Sequence, residues 1–372
     1  MATVGSTSAP STNTVYYDAL LTTTLAAYRD QMVDNIFKDS AFLAYIRQSG
    51  AWKGQNGGER IAQPLMYGDN DTIKTVGGYE QLDTTPQDGF TTAFVEWAEV
   101  GGTISISRKE ERQNAGEGRL MNLLEAKIKQ AEMTMREKLN NDLLAGTVLA
   151  STFVPELSTG GNLGLLPLGY WLRKENATNP TRGGNPGNIA PATYSWWRHH
   201  TADLQNQTVT GNSFKANVST FAGLKQALYR MYNYCSRGSG GSPDLVVADQ
   251  LTFEFYNNAL DANTRYTNTK MADMGFDTIK LRGATVIWDE KVPDIFTGTA
   301  AGAAGYDGTA FFINSNFYEV IYDSETNIIT TPFVEPENQT AKTAKILFMG
   351  NSCITNMRKH GVCSNILQTI SS

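Results

Sequence analysis

The sequence predicts an α+β protein, and three stretches of the chain indicate this class. Residues 119–144 contain no helix-breaking residue, and their apolar side chains recur at spacings of three and four, the period of an α-helix with one apolar stripe. Residues 59–67 and 90–109, which come just before it, alternate apolar and polar side chains as β-strands do. The chain from residue 309 onward is also mostly strand-like.

The composition limits the class of protein. The chain has 372 residues, of which 41% are hydrophobic, so it can form two or three packed units. Its net charge of −6 means that it lacks the excess of basic residues typical of sequence-specific nucleic-acid-binding proteins. We find neither a signal-peptide pattern nor an apolar run long enough to cross a membrane. The three cysteines are few and widely spaced, so we expect reduced thiols in a soluble intracellular protein.

The N-terminal residues predict a mobile segment followed by short helices. Residues 1–15 are rich in Ser, Thr and Ala, and we expect them to stay mobile until something docks on them. Residues 16–48 predict one or two short amphipathic helices, because Phe37, Phe42 and Ile46 lie at helical spacing.

The next segment predicts a long β-hairpin. Pro64 cannot donate a ladder hydrogen bond, so the first strand should have one open edge. Gly101 and Gly102 predict a bulge or bend in the second strand. Because a two-stranded ribbon is marginal alone in water, we expect something outside the hairpin to hold it. The connection, residues 68–89, is called the tip below, and its charged residues are Asp69, Asp71, Lys74, Glu80, Asp83 and Asp88.

The long helix at 119–144 would extend about 39 Å at about 1.5 Å per residue, roughly twice the usual length. We expect one stripe of it to cover a core while its charged faces stay exposed. The stripe consists of Leu120, Leu124, Ile128, Ala131, Met135, Leu139 and Leu143.

The remainder of the chain predicts a mixed α/β region. Residues 147–212 are rich in loop-forming residues, and residues 219–235 predict a second helix with Ser219 as its N-cap. A buried strand at 243–249 precedes a short helix, and strands are expected around Gly283. Residues 300–308 predict a flexible loop.

No motif predicts an active site. His199 and His200 are adjacent and therefore point apart, and with only His360 besides, no zinc-binding spacing appears. The glycine clusters near residues 160 and 240 lack the Lys-Ser/Thr pair of a phosphate loop. We therefore expect no catalytic residue, no cofactor and no metal.

Three tryptophans leave one alternative open. A carbohydrate-binding or carbohydrate-active protein could bind sugars through Trp171, Trp196 and Trp197. More commonly, such tryptophans pack a loop against the hydrophobic core.

The order of these elements resembles that of the major capsid proteins of tailed double-stranded DNA bacteriophages, whose fold is shared with herpesvirus floor domains and encapsulins. The resemblance extends over essentially the whole chain. It is carried by "GGERIAQPLMYGDND", "FVEWAEVGGTISISRKEERQNAGEGRLMNLLEAKI", "TYSWWR", "PDLVVADQLTFEFY", "GFDTIKLRGATVIWDE" and "FFINSNFYEVI". Two features of some relatives are missing: a long charged scaffold-like N-terminal segment, and an identifiable lysine–asparagine cross-linking pair.

The resemblance implies five regions. They are an N-terminal arm (1–50), an extended loop (51–109), a peripheral domain (110–239) with a spine helix at 119–145, an axial domain (240–320), and strands that return to the peripheral domain (321–372).

The resemblance also implies a structural function rather than an enzymatic one. Copies of the chain would assemble in the host cytoplasm as hexamers and pentamers into an icosahedral virion shell, with the tip contacting an adjacent subunit. The packaged double-stranded DNA would be contacted weakly and without sequence specificity. Portal and scaffolding or decoration proteins would be further partners, and no membrane would be involved. An encapsulin-like compartment is the alternative with the same fold, which the length of the 59–109 hairpin disfavours.

Overall fold

The computed structural model describes residues 40–113, 123–144, 147–149, 152–154, 164–173, 185–205, 213–214, 216–260, 279–292, 308–337 and 339–366. These residues form two compact units. The first contains Gly101–Arg136 and Ile328–Leu347, and the second contains the described parts of Asp39–Val100, Glu137–Asn327 and Phe348–Ser372. No helix within these ranges has the length and the apolar composition that a membrane crossing requires.

The first unit combines a small sheet with two helical segments. Strand β4 (Ala98–Ser107) pairs with β14 (Ala341–Ile354), whose first half also pairs antiparallel with β13 (Ile329–Thr330). Helix α2 (Arg108–Gln113) and the beginning of α3 (Leu123–Leu144) follow β4. The sequence predicts a bulge or bend at Gly101 and Gly102, and both residues lie inside the continuous strand β4. A Cβ atom at Gly101 would lie 3.0 Å from Leu347 Cδ2, so the glycine allows close packing of the strands.

The second unit contains a six-stranded sheet in the order β7-β15-β11-β8-β10-β9. The pairs β8·β10 and β7·β15 are parallel, and the other pairs are antiparallel. The strands are β7 (His200–Asp203), β8 (Leu245–Ala248), β9 (Ile279–Leu281), β10 (Ala284–Trp288), β11 (Ala310–Ile313) and β15 (Gly361–Ser364). Every residue of β8, β11 and β15 is buried, as in a sheet that is covered on both faces.

Each face of this sheet belongs to a separate hydrophobic cluster. Helices α5 (Phe221–Cys235) and α6 (Gln250–Asn258) pack with Val246, Val286 and Phe312. Helix α1 (Ala41–Gln48) belongs to the other cluster. That cluster contains Val247 and Ile287, the strand residues next to Val246 and Val286. The period-2 alternation of the strands therefore decides which layer each side chain joins.

Smaller strands and one short helix are further elements of the second unit. Strand β1 (Trp52–Gln55) is parallel to β12 (Tyr318–Asp323), which is antiparallel to the second half of β14. Strands β2 (Ile61–Met66) and β3 (Phe90–Val95) form the hairpin. The short strands β5 (Thr147–Leu149) and β6 (Thr152–Val154) pair with each other, and α4 (Leu168–Trp171) follows them.

Several sequence-based expectations need correction or lie outside the described residues. The second helix is capped by Thr220, whose side chain accepts a hydrogen bond from Gly223 N, and not by Ser219. The stretch expected to be loop-rich contains β5, β6 and β7. The predictions for residues 1–15, for Phe37, for helical residues 119–122 and for residues 300–307 concern positions outside the described part of the chain.

Candidate functional site: the extended hairpin

Strands β2 and β3 form a two-stranded antiparallel ribbon, called the neck of the hairpin below, with one buried apolar face. Ile61 lies opposite Val95, and Met66 lies opposite Phe90. Ile61, Leu65, Ala93 and Val95 are buried. On the other face Met66, Phe90 and Phe94 are exposed. The ribbon ends after Val95, and Glu96 and Trp97 separate β3 from β4.

The loop residues around Gly187 and Trp196, in the same unit, pack against the neck. Gly187 has a φ of +66°, and a Cβ atom there would lie 3.1 Å from the Ala93 side chain, so this close approach requires glycine. The Trp196 ring stacks on Tyr67 with centroids 4.9 Å apart. Trp197 is buried and donates its Nε1–H to the Pro186 carbonyl at 2.8 Å. This aromatic bracing fixes where the neck passes into the tip.

Short-range polar contacts shape the tip. Lys74 Nζ lies 2.9 Å from Glu80 Oε1, and this contact, with the amide of Gly77, lowers the pKa of Glu80. Asp83 accepts hydrogen bonds from the side chain and the amide of Thr85, which lower the pKa of Asp83. Lys74, Glu80 and Asp83 therefore already have partners inside the tip.

The remaining acidic residues of the tip are Asp69, Asp71 and Asp88. None of their carboxylates makes a hydrogen bond or an ion pair with a residue in the described ranges. They are the charges that the tip presents outward.

The tip also exposes large apolar side chains, which the sequence analysis did not single out. Ile73 is 82% exposed, Tyr79 is 105% exposed and Leu82 is 66% exposed, and Val76 is exposed as well. These residues recur at every third position, and this spacing was the available signal in the sequence. A shallow groove of about 330 Å³ lies on the neck, lined by Pro64, Leu65, Met66, Phe90, Thr91 and Thr92. Exposed apolar residues grouped in this way mark a surface that a partner covers.

The long helix α3 buries only part of the predicted stripe. Met135, Leu139 and Leu143 are buried. Leu124, Ile128 and Ala131 are half-buried, and Leu120 lies outside the described residues. In the first unit, Lys127 Nζ lies 3.0 Å from Glu110 Oε2 and also donates to the Ser105 carbonyl.

A buried polar cluster of the second unit joins the C-terminal part of α3 to the start of α1. Asn140 Nδ2 donates to both carboxylate oxygens of Asp289, at 3.2 and 3.1 Å. Ser40, the N-cap of α1, donates its hydroxyl to Asp289 Oδ2 at 3.2 Å. Burial raises the pKa of Asp289, although these hydrogen bonds act in the opposite direction. The cluster anchors the helix that begins the described part of the chain.

Comparison with known proteins gives a consistent result at the level of fold. No protein-family model and no curated protein matches the sequence. Among solved structures, the cyanophage A-1(L) capsid matches with a TM-score of 0.65 and 12% identity, over 92% of this chain and 96% of that chain. The capsid of the Myoviridae phage XM1 matches with a TM-score of 0.55 and 11% identity, over 91% of this chain and 96% of that chain. This chain has the tailed-phage major capsid fold.

A third match extends this result, and the fold class predicted from the sequence is confirmed. The capsid of a native GTA particle matches the chain with a TM-score of 0.53 and 12% identity, over 93% of this chain and 95% of that chain. Each of the three matches covers more than nine-tenths of this chain, so the fold likeness is not confined to a single segment.

Within this capsid fold, the residues that would support other functions are used for packing. Trp171 is buried and donates to Ser352 Oγ at 2.9 Å. Because Trp197 is buried as well, only Trp196 of the three tryptophans reaches the surface in part. His199 Nε2 contacts the Arg173 carbonyl and His200 Nδ1 contacts Ser213, so the two rings have different partners. The described ranges contain no group of three or more His, Cys, Asp or Glu side chains that could hold a metal ion.

Proposed function

We propose that this chain is the major capsid protein of a tailed bacteriophage. It is a structural protein without enzymatic activity, and its copies assemble as hexamers and pentamers into an icosahedral shell that encloses packaged double-stranded DNA. The capsid fold supports this proposal. The observation that carries it is the hairpin, which exposes Ile73, Tyr79 and Leu82 on a tip that already has a defined conformation.

The hairpin is suited to contact a second copy of the chain. Its local hydrogen bonds order the tip before any contact is made, which reduces the entropic cost of association. Its apolar side chains gain free energy only when another surface covers them. In the sequence, Asp69, Asp71 and Asp88 flank this apolar set, and their carboxylates favour a partner surface that carries Lys or Arg.

The proposal includes the regional assignments expected from the sequence. Residues 1–50 serve as the N-terminal arm, 51–109 as the extended loop, 110–239 and 321–372 as the peripheral domain with its spine helix, and 240–320 as the axial domain. Portal and scaffolding or decoration proteins are the proposed partners besides further copies. The virion is the proposed location, after assembly in the host cytoplasm.

Electron microscopy of the expressed protein tests this function. Negative staining should show closed shells or hexameric rings, whereas a monodisperse monomer would contradict the proposal and favour a binding protein. Because Trp171 and Trp197 are buried, a carbohydrate could not reach them, which argues against a carbohydrate site formed by the three tryptophans. An encapsulin-like compartment would also form shells. Mass spectrometry of purified tailed, DNA-filled particles separates the two, because only a phage capsid protein would be the major component there.

A further inference from the structure

The basic residues of this acidic chain are unevenly distributed. Between Asp203 and Asp244 there is no Asp or Glu, while the same stretch contains Lys215, Lys225, Arg230 and Arg237. Helix α5 lies in this stretch and buries one side against the six-stranded sheet. The opposite side of α5 is exposed at Gln226, Arg230 and Asn233.

A distant turn adds a further arginine to this exposed side. Arg282, between β9 and β10, donates from Nη1 to Asn233 Oδ1 at 2.9 Å, and its Cζ lies 5.1 Å from the Tyr229 ring centroid. Just beyond the helix, Arg237 Cζ lies 3.9 Å from the Tyr234 ring centroid. We call the surface formed by Arg230, Arg237 and Arg282 the arginine face.

The position of Arg282 is costly for the backbone. Its φ of 54° lies in the left-handed region, where a residue other than glycine costs on the order of 1 kcal/mol. Such positions favour Gly, Asn or Asp, so an arginine there is held in place by its contacts with α5.

Within the described ranges, no carboxylate neutralises the charges of the arginine face. None of its three guanidinium groups forms an ion pair with a carboxylate in the described ranges. Elsewhere in those ranges the basic residues Lys53, Arg60, Lys74, Lys127, Lys138, Lys291 and Lys342 are each paired with Asp or Glu. Tyrosine rings, rather than carboxylates, position two of the three arginines, and cation–π contact leaves their positive charge in place.

We propose that the arginine face binds the phosphate backbone of double-stranded DNA without sequence specificity. This inference rests on the proposed function, since it assigns the face to the inner side of the shell. Guanidinium groups donate paired hydrogen bonds that match phosphate oxygens. Contacts to phosphates position DNA but carry no sequence information. Because the rest of the chain is acidic, the contact is confined to this face and stays weak.

The acidic tip of a second copy is another negatively charged partner that could bind the arginine face. The tip, however, presents Ile73, Tyr79 and Leu82 together with its carboxylates, and these need an apolar acceptor. On the arginine face, Tyr229 and Tyr234 are already covered by Arg282 and Arg237. The face therefore suits a polyanion better than an apolar tip.

A charge-matched pair of variants tests the proposal. One variant carries R230Q, R237Q and R282Q, and its control carries K53Q, R60Q and K342Q, which remove the same charge from ion-paired positions. Binding of a fluorescent duplex DNA of about 30 base pairs is measured by anisotropy over a range of salt concentrations. The slope of log K against log salt should fall in magnitude by about 2.7 for the arginine variant, since each lost phosphate contact contributes about 0.9. Affinity near 0.1 M salt should fall by at least about ten-fold.

The outcomes separate this inference from the proposed function. Loss of DNA binding in the arginine variant alone, with shells that still form under the microscope, supports the arginine face as a DNA contact. Unchanged binding in that variant, or equal loss in the control, overturns the inference while leaving the proposed function standing. Loss of shells in the arginine variant alone shows an interface between copies and also overturns it. Failure of the wild type to form shells overturns the proposed function, because DNA binding is measured separately on soluble protein.

Discussion

Replacing the apolar residues of the tip is expected to stop assembly while leaving the subunit folded. The variant carries Ile73→Ser, Tyr79→Ser and Leu82→Ser. These side chains are at least two-thirds exposed, so they contribute little to the stability of the free subunit. In an assembled shell they would be covered, and covering a large apolar side chain contributes about 1.5–3 kcal/mol. Scaled by their exposure, the three side chains contribute roughly 4–8 kcal/mol per contact.

This magnitude identifies the stronger of two possible contributions from the tip. Exposed ion pairs contribute about 0–1 kcal/mol each and are weakened by salt. The carboxylates of Asp69, Asp71 and Asp88 therefore contribute roughly 0–3 kcal/mol together, less than the apolar set. We expect the variant D69N/D71N/D88N to assemble, with a modest change in the required protein concentration.

Sedimentation velocity and negative staining would measure assembly, and circular dichroism with thermal melting would confirm the fold. The triple serine variant should sediment as free subunits or capsomers, with a melting temperature close to that of the wild type. Normal shells from this variant, together with failed assembly of the asparagine variant, would refute the reasoning and show that charge governs the contact.

Three further predictions concern the subunit itself. Thr220→Ala should lower the free energy of unfolding by about 1 kcal/mol in urea titrations, and Ser219→Ala should leave it unchanged, since Thr220 caps α5. Burial lowers the pKa of His360 to about 3, so its neutral form stabilises the fold fully above the unfolded pKa near 6.5. That stability is lost progressively between about pH 6.5 and 3. Between pH 6.5 and 4.5 it should fall by about 2 kcal/mol. His360→Asn should reduce this loss, and equal acid sensitivity in the variant would contradict the assignment. The buried thiols of Cys235, Cys353 and Cys363 have raised pKa values, so a thiol reagent should label none of them in the native protein and all three in urea; rapid labelling of the native protein would show that one is accessible.

Local periodicity was sufficient to predict the main helices and strands. The helix α5, the strands around Gly283 and the buried strand β8 all occur where the spacing of apolar residues predicts them. These elements are long or strongly patterned, and neighbouring residues within each element supply most of the signal. Their boundaries were less certain, as the cap at Thr220 instead of Ser219 shows.

Short strands within loop-rich sequence could not be predicted in this way. Strand β7 is four residues long, and its partner β15 lies more than a hundred residues away in the sequence, with His200 opposite Gly361. The pairing energy of such a strand comes from a distant segment, so its own sequence carries little of the information. The break between β3 and β4 at Glu96 and Trp97 was not predicted either, and Gly101 and Gly102 instead allow close packing against Leu347 and Ile346.

By itself the sequence determined the composition of each surface: an acidic tip, an acid-free stretch between Asp203 and Asp244, and a helix with one apolar stripe. The tertiary structure decided which of these side chains are available for contact. It buries Trp171 and Trp197 and leaves Tyr79 exposed, and it brings Arg282 beside Asn233 on α5. Burial and proximity are set by contacts between residues far apart in the chain, whereas charge and hydrophobicity belong to each residue alone.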